Sequence, residues 1–270
     1  VHRGVPGHHL REASGIAIIR LNRPHKLNAC TLNTYAELRA AVQDADRDED
    51  VRASVITGEG RGFCAGDDVQ EIFLASPPAG RGPSIRERLE ELRGQGQRGV
   101  DNLLFFDKPA VAAVNGPAVG YGFDLALMCD VRIAAESARF GSIFVRRGLM
   151  ADAVSLLLLP RIVGWSKAAE LTLTGDIIDA QEALRIGLVS KVVPQESLMD
   201  EAIPLARRMA DNAPLAVRMT KHGLRRSLGL DLRPFLEWQS VCQGLLMRSE
   251  DHREGARAFV EKREPRFQGR

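Results

Sequence analysis

The chain has 270 residues, 44% of them hydrophobic, which is enough for one large domain or a domain with a helical extension. Lys and Arg number 37 against 35 Asp and Glu, so the net charge of +2 gives no whole-chain reason to expect nucleic-acid or membrane binding. No apolar run approaches the roughly 20 residues of a membrane span, and Val1 to Leu10 lacks the pattern of a signal peptide.

In chain order, Gly15 to Leu21 reads as an early strand and Asn22 to Lys26 as a turn. Thr31 is placed to cap a helix reaching about Ala45. The four cysteines, Cys30, Cys64, Cys129 and Cys242, form no C-x-x-C, which points to reduced structural thiols in a cytoplasmic protein. Val51 to Thr57 is a second strand, dense in β-branched residues. Gly58 to Gly62 breaks it, and Phe63 to Val69 passes through glycine into a short helical pattern. Ser76 to Ser84 is a Pro- and Gly-rich loop, and Ile85 to Phe106 carries helical periodicity interrupted near Gly94 to Gly96.

Lys108 to Asp130 is the stretch around which the rest is arranged. Val111 to Val114 is too short for a helix and reads as a buried strand. Asn115-Gly116-Pro117 reads as a turn, with Pro stopping any ladder. Gly120, Tyr121 and Gly122 lead into an apolar helix from Phe123 to Met128. Such a helix start leaves N–H groups without intrahelical partners and attracts negative charge, including charge that develops in a reaction. Asp124, one turn past Tyr121, is placed to face the same pocket. On this stretch alone the plainer reading, a buried helix with glycines for close packing, is favoured.

Val131 to Ala134 is the next strand. Ser155 to Leu159 and Lys167 to Leu173 read as helices, with Pro160 and Gly164 between them. Asp179 caps a helix to Ile186, Leu188 to Val193 is a late strand, and the pattern is helical from Gln195 onward. The expected class is α/β, with a core domain over 1–194 and a C-terminal helical region over 195–270. The six histidines show no zinc-ligand spacing, so no metal site is expected.

Together these segments resemble the crotonase family, the enoyl-CoA hydratase/isomerase group. The residues that carry the resemblance are Asn22-Arg23-Pro24 with Leu27-Asn28-Ala29, Gly62 to Val69, and Ala113 to Gly120 with Cys129-Asp130. Further matches continue in order to about Val193, covering most of the chain. The resemblance implies a spiral of β-β-α units whose C-terminal helices build a homotrimer, often paired as a hexamer. It implies an acyl-CoA substrate and no cofactor beyond the coenzyme A moiety. Its common step is stabilisation of a thioester enolate by two backbone N–H groups, which fall here on Asp67 and Tyr121. Tyr121 stands where glycine is usual, and its ring is expected to narrow the pocket.

The acid and base depart from the hydratase pattern. Of the two hydratase glutamates, one position is Asp124 and the other is Phe144, which cannot exchange a proton. Gly148-Leu149-Met150-Ala151-Asp152 resembles the turn of family isomerases in which an aspartate shuttles a proton, with Ala151 replacing Pro. An apolar wall from Phe144 and Met150 is expected to raise the pKa of that carboxyl. Asp152 also suits a helix cap, and Asp124 is balanced between a second carboxylate and a structural acid. For CoA, Lys26 is a candidate phosphate contact, and Ala65, Asp68 and Val69 match the segment that cradles adenine. Asn28, Gly120 and Phe144 complete the expected substrate-binding set. Double-bond isomerisation with Asp152 as shuttle leads; hydration of a 2-enoyl-CoA using Asp124 and a non-catalytic acyl-CoA-binding member are the alternatives.

Overall fold

The computed structural model describes residues 10–12, 15–74, 86, 103–229 and 231–270. The Ser76 to Ser84 loop and most of the periodicity from Ile85 lie outside the described residues. The strands are β1 (Leu10–Glu12), β2 (Ile16–Leu21), β3 (Ala53–Gly58), β4 (Ala110–Val114), β5 (Pro117–Val119), β6 (Val131–Ala135), β7 (Arg139–Gly141), β8 (Ile178–Asp179) and β9 (Lys191–Val193). The α-helices are α1 (Leu32–Arg47), α2 (Val69–Ile72), α3 (Tyr121–Met128), α4 (Ala153–Val163), α5 (Trp165–Thr174), α6 (Ala180–Arg185), α7 (Leu198–Ala210), α8 (Pro214–Arg226), α9 (Leu232–Leu246) and α10 (Glu250–Glu261).

One sheet has the order β1-β2-β3-β4-β6-β9, and a smaller one the order β5-β7-β8. From β2 to β9 the large sheet is parallel, with β1 added antiparallel at its edge. Both faces are covered, which is why its strands read as continuous apolar runs rather than alternating ones. Ile16, Val55, Val111, Ala113 and Ile133 pack under Leu198, Ala202 and Ala206 of α7. Ile19, Leu21, Ile56, Ala112 and Val114 face the other way, into the cluster that holds α1 and α3. Helix α7, which begins three residues into the C-terminal helical region, therefore lies on the sheet.

The expected caps are present. Thr31 accepts from the Thr34 N–H at 3.1 Å, and Asp179 from the Glu182 N–H at 2.8 Å. Two prolines behave differently from expectation. Pro117 begins β5 instead of ending all pairing, because the first residue of a strand needs no N–H. Pro160 lies inside α4, which continues to Val163 and ends only at Gly164, where φ is +81°. The small sheet gives no sequence signal because its strands are only two or three residues long.

The C-terminal helices dock through buried amines. Lys221 on α8 donates to the Lys108 carbonyl at 2.6 Å and pairs with Asp130 at 2.7 Å. Lys108 in turn donates to the last carbonyls of α1, Ala45 at 2.7 Å and Asp48 at 2.6 Å. Burial pushes the Lys108 amine down to about 8. Helix α9 buries no residue of its own, leaving Leu232, Leu236, Val241 and Leu245 exposed.

Candidate active site

Three chain segments meet beside α3. The first is the loop 22–31, held by Asn28. Its backbone is left-handed at Leu27 and Asn28, with φ of 48° and 58°, a conformation that needs outside support. Asn28 supplies it: Oδ1 accepts from the Arg23 N–H at 2.8 Å, and Nδ2 donates to the carbonyls of Glu59 at 3.0 Å and Gly62 at 2.7 Å. Asn28 is 1% exposed, and its amide is spent on shaping the loop.

The second segment is the turn 62–69. Cys64 bridges to Ala118 and Asp67 to Cys30, so this strand-like stretch lies between the other two. Gly66, at φ +86°, breaks the alternation of its bonds. The bonds to Cys30 come from the neighbours of Asp67: Cys30 N–H donates to Gly66 at 2.7 Å, and Asp68 N–H donates to Cys30 at 2.8 Å. In a parallel bridge this turns the N–H of Asp67 away from Cys30. The Tyr35 hydroxyl donates to Asp67 Oδ1 and anchors that side chain.

The third segment is the entry to α3. Gly120 has φ +56° and ψ −126°, a conformation that only glycine adopts readily. The Tyr121 N–H opens the helix and has no acceptor within it. A Cβ on Gly66 would lie 3.5 Å from the Tyr121 nitrogen and 2.9 Å from the Val119 oxygen. The two glycine turns thus meet backbone to backbone, leaving no room for a side chain. A Cβ on Gly122 would fall 1.9 Å from the Cys64 oxygen, which fixes α3 against the second segment. The Tyr121 ring, expected to narrow the pocket, turns instead into the core and packs edge-on against Tyr35, with centroids 4.7 Å apart.

Asp124 is fully buried on α3. The Ser155 hydroxyl donates to its Oδ1, while its buried Oδ2 meets no hydrogen-bond donor. The group beside it is the carboxyl of Asp152, at the start of α4. Two carboxylate oxygens can meet only if one carries a proton. Burial pushes Asp124 well up, with the Asp152 charge adding to the shift despite the Ser155 hydrogen bond, so Asp124 holds that proton. Asp152 is exposed as a residue, but partial desolvation of its carboxyl and the Asp67 charge raise it, while the Asp124 hydrogen bond holds it down. The expected apolar wall needs correction: Phe144 is buried, but Met150 is 79% exposed. The upward pressure on Asp152 comes from partial desolvation of its carboxyl and from Asp67.

The remaining expected residues lie around this centre. Lys26 is exposed, and Val69 opens α2 at the surface. The Ala65 N–H is used by Leu27 at 3.0 Å. The Asp68 carboxyl is 8% exposed, accepts from the N–H groups of Gln70 and Glu71, and pairs with Arg23 at 3.1 Å. Tyr35, Ser155 and Arg23 are the residues that sequence reasoning missed as parts of the site. Tyr35 and Ser155 sit within ordinary helical patterns, and only the contact across the fold distinguishes them. The four cysteines are free; Cys30 and Cys64 lie with sulfurs 3.7 Å apart, and their mutual hydrogen bond and burial push Cys30 far up. Among the described residues no group of His, Cys, Asp or Glu is placed to hold a metal ion, and no helix is long and apolar enough to cross a membrane.

The sequence model of the enoyl-CoA hydratase/isomerase family matches residues 11–270. The chain belongs to that family. It is an enzyme of the crotonase superfamily, whose members here are lyases and isomerases. It is 35% identical to the short-chain-enoyl-CoA hydratase of Clostridium acetobutylicum, over 94% of each chain. It is 36% identical to the 1,2-epoxyphenylacetyl-CoA isomerase of Escherichia coli, over 95% of this chain and 96% of the relative. The crystal structure of an enoyl-CoA hydratase from Bacillus anthracis superposes with a TM-score of 0.86 at 33% identity, covering 96% of this chain and 98% of that one. Hydratases and isomerases are thus about equally similar to this enoyl-CoA hydratase/isomerase family member.

Proposed function

We propose that this enzyme moves the double bond of an enoyl-CoA thioester. In this reading the backbone N–H groups of Asp67 and Tyr121 receive the charge of the enolate, and Asp152 carries the proton. Asp152 takes a proton from C2 of a 3-enoyl thioester, the electron pair shifts toward the thioester oxygen, and the proton returns at C4. Each main-chain donor in such a hole is worth about 3–4 kcal/mol of barrier. The observation that supports this reading best is the carboxyl pair: a buried Asp124 that holds a proton beside a more exposed Asp152. An ionised base with a raised pKa is better matched to removing a weakly acidic C–H proton.

Hydration of a 2-enoyl-CoA is the second reading, favoured by the same pair because an acid and a base lie side by side. Two features weigh against it: Phe144 stands at the second glutamate position, and Asp124 is wholly buried. The acyl-CoA substrate is supported by the family and by exposed Lys26 near the first turn. A trimer, or a pair of trimers, is supported by α9, which leaves Leu232, Leu236, Val241 and Leu245 exposed while Trp238 packs under Arg226 of α8.

Purified protein given 3-enoyl-CoA and 2-enoyl-CoA decides between these readings. Isomerisation that disappears in Asp152→Asn supports the first. Water addition that disappears in Asp124→Asn supports the second. Acyl-CoA binding without turnover of either leaves a non-catalytic member and overturns both.

A further inference from the structure

The first turn of α4 is not capped by its own N-cap aspartate. Asp152 stands at the N-cap with φ −68° and ψ 159°, yet its side chain accepts no capping bond. An aspartate there ordinarily accepts from the amide two or three residues on, and the third residue on is Ser155. Ser155 faces Asp124 instead. Its hydroxyl donates to Asp124 Oδ1, and its backbone N–H acts on the same carboxyl. Ser155 and Asp124 are both fully buried, so water does not compete for these bonds. With Oδ1 occupied, the one place left for the proton of Asp124 is Oδ2, the oxygen that meets no donor.

We propose that Ser155 is a positioning residue for the reacting carboxylate: it binds Asp124 in place of Asp152, leaves Asp152 free of capping duty, and aims the Asp124 proton at Asp152. This rests on Asp152 being the proton carrier. The hydrogen bond from Asp124 favours the ionised form of Asp152, so losing it makes the base harder to ionise. The other titratable groups facing the pair are Asp67, from the turn 62–69, and Tyr121, on the same helix as Asp124. Neither is altered by a substitution at Ser155.

The test compares Ser155→Ala and Ser155→Thr, each with Asp124 intact and with Asp124→Leu, which removes the hydrogen bond to Asp152. Turnover of 3-enoyl-CoA is followed against pH, and the aspartate carboxyls are titrated by carbon NMR without substrate. Ser155→Ala should lower kcat roughly tenfold with KM nearly constant, and should move the acid limb and the Asp152 carboxyl titration up by about half a unit or more. Ser155→Thr, which keeps the hydroxyl, should restore both. In the Asp124→Leu background, where no hydrogen bond reaches Asp152 from this position, Ser155→Ala should change nothing further. An unshifted Asp152 titration in Ser155→Ala, or an equal shift in the Asp124→Leu background, overturns the proposal. If the wild type turns over no enoyl thioester, the isomerase reading fails, and the NMR titration still decides the role of Ser155. Should Ser155→Ala not fold, Ser155→Cys, a weaker donor of near-equal size, must give a smaller shift of the same sign or the proposal falls.

Discussion

Asp68 and Asp152 each stand at a helix N-cap, both with φ −68° and with extended ψ of 107° and 159°. Their surroundings are opposite. Asp68 is buried, accepts from two helix amides and meets Arg23, whose hydrogen bond leads the forces holding its pKa down. Asp152 makes no cap bond and meets a protonated Asp124, while burial and Asp67 raise its pKa. Residue type and backbone are shared, so the partner decides the role. A cation turns one aspartate into a brace, and in the proposed reading a second acid leaves the other free for proton transfer.

The largest effect that can break this contrast is on turnover. Asp152→Asn should lower kcat by roughly 10²–10⁴-fold, whereas Asp68→Asn should leave turnover per folded molecule nearly unchanged; equal losses would erase the distinction. Next is the pH dependence of Asp124. Its folded pKa is raised, so its burial costs nothing below the unfolded value near 3.8 and costs more as pH rises through the window above it. Urea unfolding should therefore show Asp124→Asn gaining on wild type as pH rises above about 4, and a flat difference would contradict the protonated pair. Smaller again is the loss of the brace: Asp68→Ala should cost about 1–2 kcal/mol through its cap bonds, whereas Asp152→Ala has no cap bond to lose and should cost about 1 kcal/mol through the buried Asp124 hydroxyl left unpaired. Smallest is Arg23→Lys, which keeps the charge but loses the forked grip on the Ala29 carbonyl at 2.5 Å and on Asp68; it should cost under about 1 kcal/mol. The sign for Asp68 is the reverse of that for Asp124. Its folded pKa is depressed, so its stabilisation is present above the unfolded value and lost as pH falls through the folded one.

The sequence made most of the large sheet legible, because a strand buried on both faces appears as a short apolar run between turn residues. Val111 to Val114 within β4 and Val131 to Ala134 within β6 were readable in this way. Caps were readable where the side chain serves its own helix, as at Thr31 and Asp179. Asp152 occupies the same kind of position without making the bond, and no local pattern distinguishes it. The pairing of Asp124 with Asp152 depends on α4 packing against α3, and Ser155 reads as an ordinary helix residue. The side chains of Asn28 and Asp68 bond to segments distant in sequence, and no local pattern shows those partners. Met150 was misplaced because an apolar residue in a short turn carries no signal of which way it faces.

The thiols offer a chemical gauge of opening. Cys30, Cys64 and Cys129 are buried, with acidities suppressed in Cys30 and Cys129, whereas Cys242 is partly exposed on α9. An alkylating probe should label Cys242 first and reach the others only when the core parts. Because Cys30 and Cys64 flank the loop and turn beside Asp67, the speed at which they become labelled reports on the breathing of that wall alone, separately from the departure of the C-terminal helices.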